Sequence, residues 1–107
     1  MNEIRGHLDG MLLAILRIGP LHGYGVVQAL RTQSDGTFNL PEGTVYPALH
    51  RLERAGLLRS RWEIVGGRRR RVYSLSPKGQ RASEVTRDEW RSFRRAVDGV
   101  LCVEAGQ

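Results

Sequence analysis

The 107-residue chain is poor in the features that would assign it to many functional classes. A single cysteine, Cys102, cannot close an internal disulfide, which fits a reducing compartment. No apolar run approaches the ~18 residues of a membrane span, and Met1–His7 lacks the apolar centre of a secretory signal. A cytoplasmic, membrane-free protein is expected. Low-complexity linkers and internal repeats are absent. So are a glycine-rich phosphate loop, HExxH, CxxC, and a serine or cysteine with a plausible catalytic partner. Glu42, Glu53, Glu63 and Glu89 have no spacing suited to paired acid–base work. An enzyme is therefore not expected.

What is present in excess is positive charge, +6 overall, and it is concentrated. Residues 59–71 hold Arg59, Arg61, Arg68, Arg69, Arg70 and Arg71 against one acid, Glu63, whereas residues 1–58 balance five basic with five acidic side chains. A local cationic patch is the footprint of a polyanionic partner. With 40% hydrophobic and 26% charged residues the chain reads as one small globular domain. At this length a second copy is an attractive source of stability.

Leu8, Met11, Leu12, Ile15 and Leu16 recur at helical spacing and predict an amphipathic first helix ended by Gly19-Pro20. Val26, Val27 and Leu30 mark a second, from Gly23 into the Arg31–Ser34 region and broken by Ser34-Asp35-Gly36. Phe38 and Leu40, in the following connector, are expected to plug the core. Val45, Leu49 and Leu52 give the seam of a third helix, started near Glu42 despite Pro47 and stopped by Gly56. Leu58–Ile64 alternates like a strand, Gly66-Gly67 is a hairpin tip, and Arg71–Leu75 is the returning strand. Ser76 caps a last helix with Pro77 at its first position, running to about Val103. Ala82, Val85, Glu89, Trp90, Phe93, Val97, Val100 and Leu101 lie mostly along one stripe, of which folding back onto the first helix could bury only part. A homodimer is the expected remedy.

Three short helices, a two-stranded hairpin with a cationic tip and a long final helix describe an α+β, mainly α chain. Residues 1–75 are expected to form a winged helix-turn-helix and residues 76–107 a dimerisation helix. In this arrangement the third helix enters the major groove of double-stranded DNA and the wing follows the phosphates. Arg68, Arg69, Arg70 and Arg71 are the candidate phosphate contacts, and Thr44, Tyr46 and His50, with Arg51 behind them, the candidates for base edges or adjoining phosphates. A sequence-indifferent architectural or RNA-directed binder is the rival reading.

Three motifs, Gly19-Pro20-Leu21-His22-Gly23-Tyr24-Gly25, Gly43-Thr44-Val45-Tyr46-Pro47-Ala48-Leu49-His50-Arg51-Leu52-Glu53 and Gly67-Arg68-Arg69-Arg70-Arg71-Val72-Tyr73-Ser74-Leu75, resemble the PadR family of bacterial transcriptional regulators. The single C-terminal helix is similar to its small subfamily. Val72 replaces a frequent aromatic and Pro41 a common serine cap, neither of which threatens the fold. The resemblance implies a homodimeric DNA-binding repressor whose last helices pair with the first helix of the partner, so that the first helix is shared with the dimer interface, and whose operator affinity is altered by an effector between subunits. A cytoplasmic, nucleoid-associated protein that reads a pseudo-palindromic operator and requires no cofactor is expected. In some small members a tryptophan matching Trp90 stacks planar drug-like molecules. Gly6 and Gly10 could leave room beside Trp90, with Phe93 and Val97 on the same helix, although Trp90 as interface packing explains the residue equally simply. A divalent metal is the other effector class: Glu3 and His7 stand at i, i+4, an incomplete two-ligand site. Cys102 is expected as a small buried residue.

Overall fold

A computed structural model describes residues 2–102, with side chains from residue 7 onward. Its elements are α1 (Asn2–Leu16), β1 (Leu21–His22), α2 (Gly23–Gln33), α3 (Glu42–Arg54), β2 (Leu58–Val65), β3 (Arg68–Leu75) and α4 (Pro77–Leu101). The apolar seams of α1, α2 and α3 meet in one core, in which Leu12, Val26, Val45 and Leu49 are fully buried. Leu40 packs against this core as expected. Phe38 does not plug it and instead lines a groove between α1 and α4.

Helix α3 starts at Glu42 and carries Pro47 inside it. Proline there removes the donor that would reach the Gly43 carbonyl, but Gly43 is exposed, so water can satisfy that group. Gly56, at φ +80°, ends the helix. Leu57 N–H donates to the Leu52 carbonyl and Gly56 N–H to that of Glu53, both at 3.0 Å, the paired bonds of a Schellman closure. Ser76 caps α4, its Oγ accepting from Gly79 N–H at 3.0 Å and donating to the Gly56 carbonyl at 2.5 Å. The start of α4 is thereby fastened to the end of α3.

The sheet departs from the expected hairpin in two ways. Leu21 and His22 pair with Tyr73 and Val72, so the sheet has three antiparallel strands in the order β1-β3-β2. The returning strand also begins at Arg68, three residues earlier than expected. Gly66 and Gly67 both have positive φ, +58° and +78°, the signature of a two-residue hairpin turn. Such a turn holds the register to its last residue, and Val65 lies opposite Arg68. The four arginines are thus strand residues rather than a loose tip.

Candidate nucleic-acid interface

On α3, the buried side is set by Val45, Ala48, Leu49 and Leu52. The opposite ridge, spaced four, three and four residues apart, is Gly43, Pro47, His50 and Arg54, all exposed. Of the four α3 residues favoured from sequence, His50 lies on this ridge, while Thr44, Tyr46 and Arg51 flank it. Tyr46 is half-buried and packs over Gly23 at the start of α2, where a β-carbon would come within 2.9 Å of its ring. Burial, and then the neighbouring Glu42 carboxylate, raise its phenol above the ordinary pKa of 10.0. The ring thus ties α3 to α2 and stays protonated at neutral pH. On the flank facing α1, Arg51 Nη2 donates to Asp9 Oδ1 at 2.5 Å. Pro47 and Arg54, three residues before and four after His50, could have been found from helical spacing alone. Gly43 had no side chain to draw notice and is found only once the ridge is known.

Strand alternation sorts the wing arginines. Arg69 and Arg71 share a face with Trp62, their guanidinium carbons 4.4 and 5.2 Å from its ring centroid. Arg68 and Arg70 point to the other face, with Arg59 and Arg61. Among the described residues Arg68, Arg69 and Arg70 form no ion pair. Arg71 differs from the expected free phosphate contact because its guanidinium is turned inward. Its Nε donates to Ser60 Oγ at 2.9 Å and its Nη2 approaches Glu53 Oε2 at 3.4 Å, while Ser60 Oγ donates to that same oxygen at 2.6 Å. This network joins both wing strands to α3, so wing and helix present their cations and ridge as one body.

A second feature lies between α1 and α4. It is a groove of about 880 Å³ lined by His7, Asp9, Met11, Phe38, Trp90 and Phe93 among others. Trp90 stacks on Phe93 at 5.5 Å between centroids and meets His7 at 4.9 Å. Gly10 borders the groove, but the space beside it is not spare. A β-carbon there would stand 2.7 Å from Thr86 Cγ2, so the glycine lets α1 and α4 approach. Val97, half-buried, lies one turn beyond Phe93 and does not line the groove. The side chain of Glu3 and the surroundings of Gly6 are not among those described. Among those described, no group of three or more His, Cys, Asp or Glu could hold a metal ion, and no helix is long and apolar enough to cross a membrane. Cys102 is exposed, not buried as expected.

The three-helix core, the braced hairpin and the appended α4 define a winged-helix protein with an extended C-terminal helix. The family model of the PadR-like transcriptional regulators matches residues 12–85, and the chain belongs to that family. It is 39% identical over 86 residues to the transcriptional regulator Rv3488 of Mycobacterium tuberculosis, covering 80% of this chain and 78% of that protein. A PadR family transcription regulator from Clostridium difficile has a similar structure, with 30% identity and a TM-score of 0.79 over 89% of this chain and 98% of that one. PadR from Bacillus subtilis, solved in complex with operator DNA, shares the fold at 24% identity and a TM-score of 0.66. That match covers 72% of this chain and 44% of the Bacillus chain. The protein is a transcriptional regulator and not an enzyme.

Proposed function

We propose that the chain is a cytoplasmic, homodimeric repressor that reads a pseudo-palindromic operator in double-stranded DNA. The observation that carries this reading is the Arg71–Ser60–Glu53 network, which locks an arginine-bearing wing to the recognition helix. A helix ridge of His50, Pro47, Gly43 and Arg54 suits the major groove, with Thr44, Tyr46 and Arg51 beside it toward the flanking backbone. Arg68, Arg69 and Arg70 supply sequence-independent phosphate contacts. A Bacillus subtilis PadR of the same fold is solved in complex with operator DNA, which supports DNA as the partner.

The α4 stripe supports the dimer. Val85, Trp90, Phe93, Val100 and Leu101 are each about half or more exposed in the single chain. The groove beside Trp90 and Phe93 is suited to a planar aromatic effector, which would act on operator affinity through the α1–α4 packing. A divalent metal held by Glu3 and His7, a two-ligand site to be completed by water or the second subunit, is the other effector class.

Competition binding tests the central claim. The protein should hold one palindromic duplex under a large excess of random DNA, whereas a sequence-indifferent binder would be displaced. Changing Arg69 and Arg70 together to alanine should weaken binding to every duplex and flatten the plot of log K against log salt by about 2 units, near 0.9 per lost phosphate contact. An unchanged slope would remove the wing from the phosphates.

A further inference from the structure

We propose that Asp9 masks Arg51: the carboxylate on α1 holds a recognition-helix cation away from DNA and so sets how tightly the protein grips the duplex. The two residues are 42 positions apart, yet Arg51 Nη2 donates to Asp9 Oδ1 at 2.5 Å. The contact holds the guanidinium on the flank of α3 that faces α1, beside the exposed ridge. Arg54, on that ridge, forms no ion pair among the described residues. One turn of the same helix therefore carries a restrained cation and a free one.

The pair is built to exchange. Its side chains are 52% and 45% exposed, and an ion pair in that much water contributes little to folding. An arriving phosphate offers Arg51 a charge-assisted bidentate partner of the same kind as the carboxylate. While the pair stands, the phosphate meets a cation whose charge is already cancelled by a neighbour. Asp9 also borders the groove that contains Trp90 and Phe93. A change in that groove that draws the Asp9 carboxylate away would release Arg51 without moving α3. Asp9 is thus a positioning residue that ties the state of the α1–α4 groove to the charge presented by α3.

The inference rests on the DNA-binding reading, but its test needs no operator, because phosphate contacts are independent of sequence. Binding to a random duplex is measured across salt for wild type, Asp9→Asn, Arg51→Ala and the double variant. Asp9→Asn should raise affinity about threefold near 0.1 M salt and steepen the salt slope by about 0.9, one added phosphate contact. Both gains should vanish when Arg51 is alanine. Equal gains with and without Arg51 would mean that only a nearby negative charge had been removed, and the proposal would fail. A weaker-binding Asp9→Asn would overturn it as well, by showing that Asp9 holds Arg51 in its binding pose. Asp9→Ser is the second variant, and thermal melts of all of them should match wild type within a few degrees. If the cycle behaves as expected but no palindrome outcompetes random DNA, masking stands and the sequence-specific reading falls.

Discussion

Arg71 shows how a single side chain can share the chemistry of its neighbours and not their task. It is the last of four consecutive arginines, but strand alternation and the position of Ser60 turn it toward Glu53 rather than into solvent. Arg71→Ala should therefore leave the salt dependence of DNA binding unchanged while reducing affinity, because the wing loses its brace to α3 and keeps the phosphate contacts proposed for Arg68, Arg69 and Arg70. Arg70→Ala should also lower affinity, but with the slope flattened by about 0.9. Salt titrations of the two variants side by side check this, and a flattened slope for Arg71→Ala would return it to the phosphates. The thermal cost of losing the pair should be small, within about 1 kcal/mol, since Arg71 is 40% exposed. Sequence reading treated the four arginines alike because composition carries no information about which way a strand residue faces until the register is known. The Asp9–Arg51 contact was hidden for a related reason: no periodic pattern links residues on two different helices.

At the scale of elements, the joint between α3 and α4 is the most tightly specified part of the fold. Gly79 lies in the first turn of α4, and a β-carbon there would fall 1.9 Å from the Leu57 carbonyl oxygen. That oxygen already accepts from Ser76 N–H at 3.1 Å, so it has no freedom to retreat. Gly79→Ala gains up to ~1 kcal/mol of helix propensity, but forcing backbone apart costs more, about 1–3 kcal/mol for a crowded site and here toward the upper end. A net fall in melting temperature of several degrees is expected, read by circular dichroism. A variant as stable as wild type would mean that the joint is slack and that α4 does not fix the end of α3. The caps around this joint were legible beforehand, Ser76-Pro77 and Gly56 being local signals. The third strand was not. Leu21-His22 is too short to alternate, and its pairing with Tyr73 and Val72 depends on a partner about 50 residues away. The start of β3 at Arg68 was missed because arginines resemble a solvated tip, whereas the Gly66-Gly67 turn keeps them in register.

For the whole molecule, the decisive asymmetry is in α4. Its 25 residues span roughly 37 Å at 1.5 Å per residue, but the buried positions are Gly79 and Ser83, both within its first two turns. Beyond them Trp90, Phe93, Val100 and Leu101 stay 47–73% exposed, and the chain is drawn out to 60 × 28 × 24 Å. A contiguous apolar stripe on so small a body is more than an isolated soluble chain ordinarily leaves in water. If a second copy covers it, the two recognition helices can be set about 34 Å apart, one duplex turn, and each half-site is read by the same ridge. Phe93 is the sharpest probe because it stacks on Trp90 and is 57% exposed, so an aspartate there can remain hydrated in the monomer but not in an apolar interface. Phe93→Asp should elute as a monomer in size-exclusion chromatography with light scattering and keep its helical circular dichroism. Its affinity for a palindromic duplex should drop by at least about 100-fold, the gain expected when two linked sites bind together. Binding of an isolated half-site should change little. An intact dimer would place the interface elsewhere than on this stripe. A monomer that still bound the full palindrome at wild-type strength would detach operator reading from the two-fold pair altogether.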